Sequence, residues 1–176
     1  MKTMQFVSGA SGVGKTTLIP HLRALLPDNY SIHDFDERGV PDGADRAWRV
    51  QTTQEWIAYG YHKAVNGITV VVCGTVNPDE IESVQEPFSD FLIRTLLLDG
   101  REDVIEQRLR KRNLSAHIAS DLERVTGSVE GFIQNNTQYI PVLRELYRSY
   151  GYPIVDTTKM KSEDVAEQVA AILTRS

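Results

Sequence analysis

The sequence predicts an α/β fold built on a parallel sheet, and three observations predict it. Short apolar, β-branched runs alternate along the chain with stretches of helical periodicity. The strongest run, Ile68-Thr69-Val70-Val71-Val72-Cys73, is almost continuously apolar, as in a central strand buried on both faces. A glycine-rich segment, Gly9-Ala10-Ser11-Gly12-Val13-Gly14-Lys15-Thr16, sits between the first such run and the first helical stretch.

The elements follow in order. Met4–Ser8 reads as the first strand. Thr17-Leu18-Ile19 and His21–Leu26 place apolar residues at helical spacing, and Pro20 between them should kink the helix or cap a short first turn. Pro27-Asp28-Asn29 is a turn, and Tyr30–His33 a second strand running into Asp34-Phe35-Asp36. Gly39, Pro41 and Gly43 mark a loop. Residues 44–65 form a long helical pattern stopped by Asn66-Gly67. After the Val-rich third strand, Gly74-Thr75-Val76-Asn77-Pro78 turns into a short helix with Asp79, Glu80 and Glu82 near its start. Phe91–Leu98 is a fourth strand, and Arg101–Arg112 a helix with Val104, Ile105 and Leu109 on one side. Residues 113–136 are polar and broken by Gly127 and Gly131. Tyr139–Tyr150 is helical and stops at Gly151, with Pro153 beyond. Pro153–Asp156 is a last short strand. Thr157-Thr158 opens a loop, and Ser162-Glu163-Asp164 is expected to cap a final helix through Leu173.

Bulk properties bound the class. A chain of 176 residues fits one domain, 1–176, with a real core. The net charge of −5 argues against a general nucleic-acid binder. The single Cys73 rules out an internal disulfide or a Cys-rich zinc site and suits a reducing compartment. There is no signal-like start and no apolar run of about 18 residues, so the expected location is cytoplasmic, away from membranes.

The glycine segment fits G-x-x-x-x-G-K-[ST], the Walker A phosphate-binding loop, in the strand–loop–helix context the motif requires. Gly9, Gly12 and Gly14 let the backbone take positive φ and approach a ligand closely. Successive N–H groups, with Ser11, Val13, Thr16 and Thr17, then form an anion nest at the positive end of a helix. Lys15 is expected on the outer phosphates and the Thr16 hydroxyl on Mg²⁺.

In parallel α/β sheets, ligands sit beyond the carboxyl ends of the strands. If strand two continues to Asp36, alternation puts Asp34 and Asp36 on one face. A carboxylate there can hold Mg²⁺ or accept the proton of an attacking hydroxyl. Asp34 is assigned to the metal, and Asp36, further out, is the preferred base. His33 and Cys73 read as packing residues. Strand three ends Val72-Cys73-Gly74-Thr75 with no carboxylate until Asp79, which places the metal and base burden on the Asp pair. Gly74 would admit an acceptor close to the backbone. Arg108 and Arg112, four apart on one helical face, could close over a γ-phosphate; the alternative is a solvated basic helix end. Arg38, Arg46 and Arg49 would suit an anionic acceptor or lie on a solvated surface. Trp48 and Trp56 read as packing.

On these residues the chain resembles the P-loop kinases of the nucleoside monophosphate, shikimate and gluconate kinase group. The segment Val7–Leu18 is similar to the guanylate kinase loop, and Asp34-x-Asp36 resembles the shikimate kinase acid pair. Arg108-Leu109-x-x-Arg112, Ser120-Asp121 and Tyr139–Leu143 look like the lid and following helix of adenylate-type kinases. Ile154–Thr158 followed by Ser162–Val165 is similar to their last strand and helix. The resemblance implies a three-layer P-loop NTPase fold with a five-stranded parallel sheet in the order 2-3-1-4-5 and helices on both faces. It also implies an acceptor region at about 37–65, a lid at about 112–136, and a loop at Thr157 that wraps adenine. The expected ligands are ATP, Mg²⁺ and a small-molecule acceptor such as a nucleoside or nucleotide, sugar or hydroxy acid, in a monomer or homodimer. The Asp-Gly-x-Pro-Arg, Arg-x-Asp-Asp and Gly-Gly-Gly elements of particular subfamilies are absent, so the acceptor stays open. Three alternatives stand beside this reading: an ATPase module acting through a protein partner, a polynucleotide 5′-kinase, and a toxin-type or resistance kinase.

Overall fold

The computed structural model describes residues 2–112 and 127–175. Five parallel strands form one sheet: β1 (Thr3–Ser8), β2 (Tyr30–Asp34), β3 (Thr69–Gly74), β4 (Leu92–Asp99) and β5 (Ile154–Asp156). Their order is β2-β3-β1-β4-β5, as the resemblance implied. The register pairs Ser8 with Gly74 and Leu97, and Asp34 with Cys73, so the carboxyl ends of β1, β2 and β3 finish at one edge.

The helices are α1 (Lys15–Leu25), α2 (Arg46–Ala64), the short α3 (Pro78–Glu82), α4 (Glu102–Arg112), α5 (Val129–Ser149) and α6 (Ser162–Leu173). Strand alternation divides the core between the two faces. Val7, Val71, Cys73, Leu96 and Leu98 pack with Leu18 and Leu22 of α1 and Val169 and Leu173 of α6. Phe6, Val70 and Val72 pack on the other face with Trp56 and Ile57 of α2 and Ile81 of α3. Gln5, buried in β1, donates from Nε2 to the carbonyl of Leu173 at 2.8 Å, which gives its buried amide a partner.

Several local expectations are corrected. Pro20 lies inside α1, which runs unbroken from Lys15 to Leu25. Strand β2 stops at Asp34, and a 3₁₀ turn, Phe35–Arg38, follows. The turn forms because the Asp34 carboxylate accepts from the Asp36 N–H at 3.0 Å while Glu37 accepts from the Asp34 N–H at 3.2 Å, a capping box. Asp34 and Asp36 therefore share the cleft through a turn, not through strand alternation. Helix α5 begins at Val129, not near Tyr139, because Ser128 Oγ accepts from the Gly131 N–H at 2.9 Å and starts the helix early. Residues 129–136 of the expected lid region are helical, and its segment 113–126 lies outside the described residues. The N-cap of α6 is Lys161, with Ser162 already its first helical residue and no side-chain cap. Among the described residues, no helix is long and apolar enough to cross a membrane.

Candidate active site

Beyond the carboxyl ends of the strands lies an open cleft of about 1060 Å³. Its lining includes Ser11, Gly12, Val13, Gly14, Lys15, Thr16 and Thr17 of the loop, Asp34 and Asp36 from the end of β2 and the turn after it, and Arg108, Arg112 and Thr157.

The three glycines of the loop serve different ends. Gly12 and Gly14 have φ of +88° and +107°, which only glycine adopts without strain. Gly14 is the N-cap of α1 and supplies no side-chain cap, so the first-turn N–H groups of that helix are offered to a ligand. Gly9 does not line the cleft. A Cβ there would meet Val13 Cγ2 at 2.6 Å and the Leu98 carbonyl at 2.8 Å, so the loop packs against β4 at this point. The Gly9 carbonyl accepts from Lys15 Nζ at 2.6 Å and from the Thr75 hydroxyl at 2.8 Å. Lys15 Nζ also donates to the Ala10 carbonyl at 2.9 Å. The lysine is folded back on its own loop, where a phosphate oxygen could exchange for a carbonyl. Burial pushes its amine down to about 8, against the opposing pull of Asp36 and Asp34.

Desolvation, with Asp34 beside it, raises the Asp36 carboxyl above its ordinary value, and Lys15 partly offsets this. That is the direction expected of a proton acceptor matched to neutral pH. His33 is held by Ser31 and Glu37, each at 2.7 Å, and packs on Trp56. Burial pushes the Cys73 thiol up to about 12, which makes it inert as a nucleophile. Asp99, at the end of β4, is taken by Arg144 at 2.5 Å.

Gly74 lines the cleft, but a Cβ on it would lie 2.1 Å from Phe35 Cβ. The glycine is required by the protein's own packing of the 3₁₀ turn against β3. Arg108 donates to the carbonyl of Thr157 at 2.8 Å and to its hydroxyl at 3.2 Å, joining α4 to the loop after β5. The arginines proposed for the acceptor do not form a clamp. Arg38 lies over the Trp56 ring at 4.1 Å and near Glu55, and Arg46 pairs with Asp79 at 2.9 Å; neither lines the cleft. Arg49 does line it, paired with Glu80 at 2.9 Å.

The sequence reading missed Glu80, Asn77, Thr75, Asn136 and Tyr139 as parts of this site. Glu80 is fully buried and accepts from Arg49 and from the Asn77 N–H at 3.2 Å. Tyr139 donates to Asn77 Oδ1 at 2.7 Å, and Asn136 Oδ1 accepts from the Ser11 N–H at 3.3 Å. The Asn77-Pro78-x-Glu80 spacing is a helix-start signature and could have flagged the first pair. Nothing local could have brought Asn136 and Tyr139 to the loop.

The donor set fits Mg²⁺. The Thr16 hydroxyl and the Asp34 and Asp36 carboxylates are hard oxygen ligands, and no group of three or more His, Cys, Asp or Glu able to cage a metal occurs among the described residues. Mg²⁺ is typically held by one or two protein oxygens, with phosphates and water completing the shell.

The sequence matches no protein-family model and no curated protein. The fold, in contrast, recurs in solved structures. A sugar kinase from Janibacter sp. HTCC2649 is 19% identical and superposes with a TM-score of 0.66 over 98% of this chain and 95% of that one. A gluconokinase from Sinorhizobium meliloti 1021 is 17% identical, with a TM-score of 0.58 over 98% and 93%. The Deinococcus radiodurans tunicamycin resistance protein is 16% identical, with a TM-score of 0.58 over 100% and 98%. The three-layer architecture with its five-stranded parallel sheet is thus shared with that sugar kinase and that gluconokinase.

Proposed function

We propose that the chain is an ATP- and Mg²⁺-dependent phosphotransferase that moves the γ-phosphoryl group to a hydroxyl of a small molecule. The observation that carries this is the convergence of the phosphate loop, Lys15 and Asp36 on one cleft. The similarity in fold to a sugar kinase, a gluconokinase and an antibiotic-resistance protein supports it.

In this reading the loop N–H groups and Lys15 bind the β- and γ-phosphates. Thr16 and Asp34 hold Mg²⁺, which when bound neutralises phosphate charge. Asp36 accepts the acceptor's hydroxyl proton as that oxygen bonds to the γ-phosphorus. The bond from the γ-phosphorus to the β–γ bridging oxygen breaks, and ADP leaves. Arg112, which lines the cleft and acts electrostatically on Lys15, would stabilise the charge that develops during transfer. Arg108 binds the loop at Thr157, on the side where the base would rest. A polynucleotide 5′-kinase would suit Asp36 as base with Arg38 as a phosphate clamp, and the placement of Arg38 over the Trp56 ring does not favour it.

The test is ATP turnover. Hydrolysis should be slow alone and rise strongly with a hydroxyl compound from a metabolite panel, with phosphate found on that compound. Turnover stimulated only by a protein fraction would favour the ATPase module instead.

A further inference from the structure

Resting on the kinase reading above, we infer that Glu37 is a positioning residue for the metal ligand Asp34, and that His33 and Ser31 hold Glu37 in place. Asp34 lines the cleft, whereas Ser31, His33 and Glu37 do not, so they act through the backbone that carries the acids.

The chain of bonds starts in β2. Ser31 and His33 are two apart and share one face of the strand. Ser31 Oγ meets His33 Nε2 at 2.7 Å, and His33 Nδ1 meets Glu37 Oε1 at 2.7 Å. An ionised carboxylate only accepts, so Nδ1 carries the proton, and in the neutral ring Nε2 accepts from the serine hydroxyl. Trp56 and Tyr59 pack on the imidazole, with centroids at 5.1 and 5.5 Å, and fix its plane. The other oxygen of Glu37, Oε2, accepts from the Asp34 N–H at 3.2 Å.

That last bond sets the peptide from which the Asp34 side chain leaves. Asp34 spends Oδ1 on the Asp36 N–H at 3.0 Å, and its other oxygen remains for a cation. Trp56 Nε1 donates to the Phe35 carbonyl at 3.2 Å and anchors the middle of the turn, while Glu37 anchors its start. A ligand aimed by outer hydrogen bonds loses affinity for its ion when they are removed, although the fold around it persists.

The test reads metal binding and needs no acceptor. The affinity of the non-hydrolysable ATP analogue AMP-PNP is measured by calorimetry with Mg²⁺ and with EDTA. The ratio of the two reports how much more tightly the ion is held on the bound nucleotide than on the free one. Asp34→Asn, which keeps a cap for the Asp36 N–H and loses the charge, sets the floor. Glu37→Ala should lower the ratio about tenfold and leave the affinity in EDTA unchanged, while Glu37→Gln should hold the ratio within about threefold of wild type. The glutamine can accept from the Asp34 N–H and donate to His33 Nδ1 once the imidazole changes tautomer. In the Asp34→Asn background, Glu37→Ala should change the ratio no further. A residue that only stabilises the fold would weaken binding with and without the ion alike. An unchanged ratio in Glu37→Ala, an equal fall in Glu37→Gln, or a further fall in the Asp34→Asn background would overturn the inference and leave the kinase reading standing. If Glu37→Ala does not fold, His33→Phe replaces it, keeping a ring against Trp56 and freeing Glu37; its ratio should fall about threefold, and no fall overturns the inference. A wild-type chain that binds AMP-PNP with a ratio near one would overturn the metal role of Asp34 and this inference with it. A wild-type chain that does not bind AMP-PNP at all would overturn the kinase reading as well.

Discussion

On the side of the cleft proposed for the nucleotide, the available groups come mainly from backbone: positive-φ glycines and the open N-terminus of α1, with one lysine folded onto its own loop. On the acceptor side they come from side chains that arrive from four separate segments and largely bind one another. Glu80 joins Arg49 to the start of α3, Tyr139 reaches Asn77 from α5, and Phe35 fills the space beside Gly74. A backbone site is fixed by a short contiguous motif and binds what all triphosphates share. A side-chain site depends on tertiary placement and sets which acceptor is admitted.

That contrast can be broken by substitution, beginning with the largest effect. Lys15→Ala removes the only cation of the loop and should lower kcat/KM for ATP by about a thousandfold, in steady-state transfer assays, with little change in thermal stability. Arg49→Met should do the reverse. It strands the buried Glu80 carboxylate and should cost about 3–5 kcal/mol of stability, read by denaturant unfolding. A variant of undiminished stability with weakened acceptor binding would show that Arg49 is a free clamp after all. Gly74→Ala forces a Cβ within 2.1 Å of Phe35 Cβ. It should cost about 1–3 kcal/mol and displace the 3₁₀ turn, so that acceptor affinity falls while ATP affinity holds.

The smallest effect is the pH dependence. The Lys15 amine, lowered to about 8, is charged below that pH and loses its proton above it in the free protein. Because the charged form binds phosphate, kcat/KM for ATP should fall as pH rises through about 8. The raised Asp36 carboxyl must ionise to act as base, so the acid limb should lie above the ordinary aspartate range. A profile flat from neutral pH to about pH 10, near the ordinary lysine value, would separate nucleotide capture from the charge of Lys15.

The same contrast explains what the sequence made legible. Val70–Val72 announced a central strand, and Gly9–Thr16 announced a glycine-shaped loop running into a helix N-terminus, because both signals are local. The strand order came from resemblance, since no periodicity distinguishes 2-3-1-4-5 from other right-handed windings. The start of α5 was obscured by Gly131, which the Ser128 cap tolerates in the first turn. The Asp pair was found for the wrong reason: alternation was invoked, and a capping box turns the chain instead. For Arg38, Arg46 and Arg49 the sequence left an anionic acceptor and a solvated surface side by side, because their carboxylate partners Glu55, Asp79 and Glu80 lie in other elements, beyond any local pattern.

The central claim is that one cleft holds the triphosphate on the loop and deprotonates the acceptor at Asp36. The most direct measurement is on Asp36→Asn, comparing ATP binding by calorimetry with acceptor-dependent transfer. The expected result is an ATP affinity close to that of the wild-type chain and a transfer rate lowered on the order of 10²–10⁴-fold. Transfer retained at the wild-type rate, with nucleotide still bound, would contradict it.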